Sequence, residues 1–228
     1  MSTPQHIGII IDGNRRWAAA NGRTKLEGHR AGVDALKKLV PVLITRGVPV
    51  VSIFTFSTEN WQRAREEVSL LMGLIADTFK NYFDWLRDEG VCVRISGRSE
   101  DFSPKIQEIF RNAVENTRSN AKLIANFCLS YGGREEIARA ARGAARASIN
   151  NPDAIDEDAM ERHLYTAGLP DVDLIVRTGG EKRLSGFLPW QSTYAELYFT
   201  DTLWPDFGEA ELDSALADFA SRKRNFGK

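Results

Sequence analysis

Short runs rich in β-branched and aromatic residues recur along the chain, each followed by a stretch of helical period. This alternation constrains the fold more than any other feature. The runs are His6–Asp12, Val50–Phe56, Val91–Ser96, Leu123–Tyr131 and Asp173–Arg177, with a short edge strand expected at Leu197–Phe199. They lack the strict apolar–polar alternation of a strand with one wet face, so they read as strands covered on both sides. Between them, helical periods span Arg30–Thr45, Glu66–Asp88, Pro104–Arg118, Arg134–Ser148, Asp156–Tyr165 and Glu209–Arg222. Strand alternating with helix predicts an α/β fold, a mostly parallel central sheet flanked by helices. With no repeat, linker or low-complexity tract, residues 1–228 read as one domain.

Composition narrows the function. Hydrophobic residues make up 43% of the chain, enough for a substantial core, and the net charge is −1. A near-neutral balance argues against nucleic-acid binding, which shows as a basic field, so any anion site must be a local concentration of Arg and Lys. No stretch approaches the ~18 apolar residues of a membrane span, and the first strand comes too early for a signal peptide. Cys92 and Cys128 sit in apolar runs and make no zinc-type spacing with the histidines. They read as free buried thiols of a cytoplasmic protein.

In open α/β sheets, ligands bind beyond the carboxyl ends of the strands. Three polar clusters follow strand runs: Asp12-Gly13-Asn14-Arg15-Arg16-Trp17, Ser57-Thr58-Glu59-Asn60-Trp61-Gln62-Arg63, and Arg177 through Arg183-Leu184-Ser185. One rim of the sheet is expected to carry them all. Asp12 suits Mg²⁺, which takes one or two protein carboxylates together with phosphate oxygens and water. Gly13 permits a tight turn whose N–H groups open onto a phosphate. An Asx turn with solvated arginines accounts for the same residues. His29, in Gly28-His29-Arg30-Ala31-Gly32 after Lys25, suits a phosphate contact or proton transfer, or simple packing at a helix start. The Ser57–Arg63 cluster can position a polar substrate, yet it is also good capping chemistry ahead of the next helix.

The third cluster is harder to read as structure alone. Arg177 ends an apolar strand, and Arg183 and Ser185 follow a flexible Gly-Gly; guanidinium groups grip phosphate through two prongs. Glu196, an acid within Tyr194-Ala195-Glu196-Leu197, calls for a salt-bridge partner or a metal. Two cationic loops and two acids suggest a pocket for two anionic substrates. The helix Glu66–Asp88 is apolar around most of its circumference, from Val68, Leu70, Leu71 and Leu74 to Phe79, Phe83 and Leu86. Burial in the core explains that pattern, and so does one face lining a tunnel for a hydrocarbon tail.

These motifs together resemble the cis-prenyltransferases, the isoprenyl transferases typified by undecaprenyl diphosphate synthase. The resemblance runs from about His6 to the C-terminus. It rests on Ile11-Asp12-Gly13-Asn14 with Arg16-Trp17, Gly28-His29-Arg30-Ala31-Gly32, Phe56-Ser57-Thr58-Glu59-Asn60-Trp61 with Arg63 and Glu67, Asn126 to Gly133 with Arg134, and Arg177 through Glu196. It implies Asp12 as the Mg²⁺ carboxylate and Glu196 as a second metal-linked acid. Gly13, Asn14, Arg15, Arg16 and Trp17, with Lys25 and His29, would receive an allylic diphosphate. Ser57, Thr58 and Glu59 would contact substrate, Trp61 and Arg63 would sit on a mobile loop, and Asn60 occupies the position given the proton-acceptor role. Arg177, Arg183, Leu184 and Ser185 would hold isopentenyl diphosphate.

The resemblance further implies elongation of an allylic diphosphate, farnesyl or geranylgeranyl, to a long-chain Z-polyprenyl diphosphate. It implies a homodimer and a transient contact with a membrane surface at product release. A short-chain Z-prenyl synthase and a non-catalytic subunit of a two-component enzyme are the alternatives; such subunits tend to lose Asp12 and the phosphate arginines, which remain here. An aspartyl-phosphate phosphotransferase would need an acid where Asn14 stands. Three positions depart from the family: Lys25 for Arg, Ala64 for Pro, and Asn225 in the tail Arg224-Asn225-Phe226-Gly227, where many members read Arg-x-Gly.

Overall fold

The computed structural model describes residues 3–149 and 151–224. The strands are β1 (His6–Ile10), β2 (Val50–Ser57), β3 (Val91–Ser96), β4 (Leu123–Tyr131), β5 (Leu174–Arg177) and β6 (Glu196–Phe199). They form one six-stranded sheet in the order β3-β4-β2-β1-β5-β6. Every neighbouring pair is parallel. Around them lie α1 (Asn14–Ala20), α2 (Lys25–Thr45), α3 (Arg65–Asp88), α4 (Pro104–Thr117), α5 (Gly133–Ala147), α6 (Glu157–Glu161) and α7 (Glu209–Ser221).

Both faces of the sheet are covered, as the unbroken apolar runs require. Side chains alternate across a strand. Ile7, Ile9, Val51, Ile53, Leu174 and Val176 enter the larger core on one face. Ile10, Cys128, Tyr131 and Ile175 meet Phe187 and Leu188 on the other. Polar groups inside the sheet are paired, as burial demands. His6 Nε2 lies 2.8 Å from Ser52 Oγ, which accepts from Asn126 Nδ2 at 2.9 Å, while Ser96 Oγ donates to Asn126 Oδ1 at 2.8 Å. Cys92 and Cys128 are free, and Cys128 is buried. Among the described residues no helix is long and apolar enough to cross a membrane.

The helix expected from Arg30 begins five residues earlier. Thr24 and Glu27 form a capping box, with Thr24 N donating to Glu27 Oε2 at 2.8 Å, and this starts α2 at Lys25. Gly28 and Gly32 therefore lie inside the helix, where glycine costs about 1 kcal/mol relative to Ala. The reason is contact with α1: a Cβ on Gly28 would come within 2.3 Å of Asn14 O, and one on Gly32 within 2.3 Å of Asn14 Oδ1. The helix expected over Asp156–Tyr165 is confined to Glu157–Glu161. Its continuation is diverted because the Tyr165 N–H donates to buried Glu136 Oε1 at 2.8 Å. The helix Glu66–Asp88 is not covered on every side, since Leu70 is 53% exposed.

Strand order sets the position of the site. From β1 the sheet grows one way through β2, β4 and β3 and the other way through β5 and β6. Ligand crevices form where the order reverses, outside the carboxyl ends of the strands. That point is the end of β1 beside the end of β5, where Asp12 and Arg177 lie.

Candidate active site at the ends of β1 and β5

The loop after β1 is held by its backbone. Asp12 O accepts from Thr178 Oγ1 at 2.7 Å and from Trp204 N at 3.0 Å. Gly13 follows at φ 114°, a region closed to side chains, and a Cβ there would also strike Leu203 at 2.9 Å. No side chain caps α1, so its first-turn N–H groups carry no such partner. The Asp12 carboxylate is gripped from two sides: Arg177 Nη2 donates to Oδ2 at 2.9 Å and Arg16 Nη2 to Oδ1 at 3.3 Å. Arg177 is nearly buried, its side chain 5% exposed. Its Nη1 donates to Ser185 Oγ at 2.9 Å and to Arg183 O, while its Nε has no partner. An orphaned guanidinium N–H at the rim is a donor in want of an anion.

Beside Asp12 a cavity of about 590 Å³ is lined by Gly13, Asn14, Arg15, Arg16, Arg23, Lys25, His29 and Arg63. Three of its cations converge on one acid. Arg63 Nη1, Lys25 Nζ and Arg15 Nη1 stand 3.1, 3.5 and 3.6 Å from the Glu67 carboxylate. Burial alone would raise the Glu67 pKa, but Arg15, Arg63 and Lys25 together hold it below the usual carboxylate range. Burial, aided by Arg63 and Arg15, depresses His29 to about 4, so the ring is neutral near pH 7. Its Nε2 is buried without a partner and the residue lines both cavities.

The cationic basin shares Asp12, Asn14, His29 and Arg63 with a second cavity of about 580 Å³ that lies between α3 and the central strands β1, β2 and β4. Its walls are Ile10, Val33, Leu36, Phe54, Thr55, Phe56 and Phe127, with one face of α3 formed by Leu71, Leu74, Ile75, Thr78 and Phe79. The helix pattern of i, i+3, i+4, i+7 and i+8 explains why those five share a face. Ser57, Glu59, Asn60, Arg177 and Ser185 ring the polar end. Ser57 begins a 3-10 turn over Thr58–Gln62, and its N–H donates to Asn60 Oδ1 at 3.0 Å. The Asn60 carbonyl is thereby occupied, which leaves the NH₂ as the group able to act on a ligand.

Other residues singled out from the sequence are placed elsewhere. Trp17 donates its indole N–H to Asp206 Oδ1 at 2.7 Å and lines neither cavity. Arg183 pairs with Glu181 and is 59% exposed, reaching the rim only through its carbonyl. Leu184 packs against the smaller core. Thr58 backs onto Gly132, where a Cβ would meet its Oγ1 at 2.6 Å. Trp61 turns away from the cavity toward Ser130. Glu196 opens β6 in register with Leu174, and Leu174 in turn pairs with Ile7. That row lies five residues before Asp12, roughly 16 Å along the strands. Within one chain, therefore, Glu196 and Asp12 cannot share an ion; Glu196 pairs instead with Arg222 at 2.7 Å. Asn225 lies outside the described residues. Arg23 and the walls Phe54 and Phe127 carried no sequence signal, because each becomes a lining residue only through distant packing.

Among the described residues no group of three or more His, Cys, Asp or Glu could hold a metal. Asp12 alone nonetheless suits Mg²⁺, which needs a single protein carboxylate when phosphate oxygens and waters complete its shell.

A cation-lined basin opening into an apolar cavity defines a site for ligands with an anionic head and a hydrocarbon tail. The family described as "Putative undecaprenyl diphosphate synthase" matches residues 10–227. The isoprenyl transferase of Streptococcus pyogenes serotype M1 is 44% identical over 234 residues, covering 100% of this chain and 94% of that protein. That of Heliobacterium mobile is 42% identical over 227 residues, covering 98% and 87%. Lavandulyl diphosphate synthase from Lavandula x intermedia, solved with dimethylallyl diphosphate, superposes with a TM-score of 0.94 at 36% identity and 99% coverage of each chain. A probable undecaprenyl diphosphate synthase from Campylobacter jejuni gives 0.84 at 32% identity and 100% coverage of each. The chain belongs to the isoprenyl transferase family, prenyltransferases of the undecaprenyl diphosphate synthase fold.

Proposed function

We propose that the chain condenses isopentenyl diphosphate with an allylic diphosphate, farnesyl or geranylgeranyl, and repeats the step to give a long-chain Z-polyprenyl diphosphate. The observation that carries this reading is that the cationic basin at Asp12 adjoins the apolar cavity, sharing Asp12, Asn14, His29 and Arg63 with it. Arg15, Arg16, Lys25 and neutral His29 hold the allylic diphosphate, with its tail in the cavity. Arg177, through its free Nε and its Nη groups, and Ser185 hold the second diphosphate. Mg²⁺, when bound at Asp12, neutralises charge on the departing diphosphate. The allylic C–O bond breaks, the alkene of isopentenyl diphosphate forms the new C–C bond, and a proton leaves the adjacent carbon. A neutral amide is a poor base, so the Asn60 NH₂ group donates to a diphosphate oxygen and aims that oxygen at the departing proton. The lavender relative binds dimethylallyl diphosphate, an allylic diphosphate of the same chemical class. The retention of Asp12 and Arg177 in one ion pair supports an enzyme over a non-catalytic subunit. Incubation with farnesyl and isopentenyl diphosphates, with and without Mg²⁺, tests the reading; no condensation in either arm would sink it.

Cavity size favours a second reading, a short product. An apolar cavity of about 150 Å³ holds one benzene, about 25 Å³ per carbon. At that ratio the 580 Å³ cavity takes roughly 23 carbons, a farnesyl tail and one or two added units. Longer chains require the wall at Phe79 and Phe127 to part; the two rings meet edge to face, centroids 5.1 Å apart. Thr55 stands partway along the cavity, where one extra methylene in a packed wall is felt. Thr55→Leu is expected to shorten the products while the first condensation continues. Chromatography of the dephosphorylated products checks this, and an unchanged ladder would put the stop at Phe79 and Phe127.

The functional unit is proposed to be a homodimer joined along β6. Strand β6 ends the sheet, and among the described residues no further strand pairs with it; such an edge invites pairing or cover. Tyr194, just before it, is 61% exposed. Trp204, which follows β6, takes no part: it is fully buried and donates to Gly32 O at 2.8 Å. Light scattering at micromolar concentration is expected to give twice the monomer mass; a value near 25.5 kDa would count against the dimer.

A further inference from the structure

The Ser57–Arg63 segment has two faces. The front presents Glu59, Asn60 and Arg63 to the cavity. The back is Trp61, whose indole N–H donates to Ser130 Oγ at 2.8 Å. Its ring packs edge-on against Phe56 and Phe102, with centroids 5.0 and 5.5 Å away. Ser130 donates in turn to Asp101 Oδ2, and Arg98 Nη2 donates to Asp101 Oδ1 at 2.8 Å. The directions are fixed by chemistry. An indole only donates and an ionised carboxylate only accepts, so the hydroxyl between them must do one of each. The carboxylate at the far end polarises the hydroxyl and strengthens its hold on the indole.

Ser130 is fully buried and sits at φ 46°, in the left-handed region. A serine persists there only where the surroundings over-determine it, and such strain collects at working sites. The loop carrying Asp101 is pressed just as tightly against the end of β4: Arg98 N donates to Ser130 O at 3.2 Å. Gly97 lies at φ 123°, and a Cβ there would stand 2.1 Å from Leu129 O. Neither Ser130 nor Asp101 lines either cavity.

We infer that Asp101 and Ser130 are positioning residues, holding the Trp61 indole and so fixing the pose in which Asn60 and Arg63 meet the substrates. This rests on the condensation proposed above. The pose is set from behind, by a relay that substrate never touches.

Two measurements on the full chain test it. The first is amide hydrogen exchange without substrate. Ser130→Ala is expected to speed exchange across 58–63 at least about fivefold while β1 is unchanged, and Asp101→Ala to do the same. Asp101→Asn, which keeps an acceptor for the hydroxyl, restores protection. Ser130→Gly, which suits the left-handed backbone, guards against a folding failure and is expected to match Ser130→Ala. The second is a kinetic cycle. Ser130→Ala and Trp61→Phe are each expected to lower kcat about tenfold, and the double variant no further. Additive kinetic losses, or unchanged exchange across 58–63, would overturn the inference. Absence of condensation in the unmodified protein would instead refute the proposed reaction, with the exchange experiment still deciding the relay.

Discussion

Asp12→Ala lowers turnover by at least about 10³-fold while the protein still folds and still binds an allylic diphosphate. The side chain is 30% exposed at the rim, so its removal opens no core cavity. What is lost is the one carboxylate of the described chain that faces both the cationic basin and the apolar cavity. Binding survives because Arg15, Arg16, Lys25 and Arg177 remain, and Arg16 and Arg177 are relieved of a competing anion. The loss falls on kcat, the pattern of an interaction made mainly in the transition state. Asp12→Asn separates two causes. If the acid served only to hold Arg177 and Arg16, the amide oxygen would keep the bond from one of them, with its NH₂ group facing the other, and rescue part of the activity. If its charge is needed for Mg²⁺, Asn is nearly as poor as Ala. Turnover of Asp12→Ala within tenfold of the unmodified protein would refute the assignment.

The sheet was legible because both of its faces are covered. Residues 50–56 and 123–131 are largely buried whichever way they point and are therefore mostly apolar, and that leaves a near-continuous signal in sequence. The start of α2 was not legible. Gly28 and Gly32 look like a loop by propensity, and only the approach of Asn14 explains glycine inside a helix. A contact between helices has no local trace. The end of α6 failed similarly, since a carboxylate 29 residues upstream captures the Tyr165 N–H.

The site divides along the same line. Asp12, Arg177 and Ser185 could be anticipated because each sits at or just beyond the end of a strand, and strand ends converge by topology. Glu196 calls for a salt-bridge partner or a metal by sequence alone; within the chain the partner is Arg222, and because β6 runs parallel to β5 the acid at its start lies at the opposite end of the sheet from the rim. Trp17, Arg183 and Trp61 sit within the right clusters but point away from the cavity. Cluster membership fixes where the backbone is, while the rotamer is decided by partners such as Asp206, Glu181 and Ser130.

Arg177 is the second position where a single change has a large expected effect, and here stability and activity fall together. Its guanidinium ties the end of β5 to Asp12 in the loop after β1 and to Ser185, a residue held at φ 51°. Arg177→Ala removes a nearly buried side chain and its charged hydrogen bonds, each worth about 1.5–3 kcal/mol. Asp12 can turn to solvent, which offsets part of that, so a net loss of about 2 kcal/mol is expected in denaturant titration. The KM for isopentenyl diphosphate should rise at least about 100-fold, since the site proposed for that diphosphate includes both the guanidinium and the Ser185 loop it holds. Arg177→Lys is the sharper variant. It keeps the charge but has no planar fork, so it cannot reach Asp12, Ser185 and a phosphate at once. Lys is therefore expected to recover stability more than affinity. A lysine variant with an ordinary KM for isopentenyl diphosphate would mean that Arg177 serves the fold alone, and that the second diphosphate is held elsewhere on the rim.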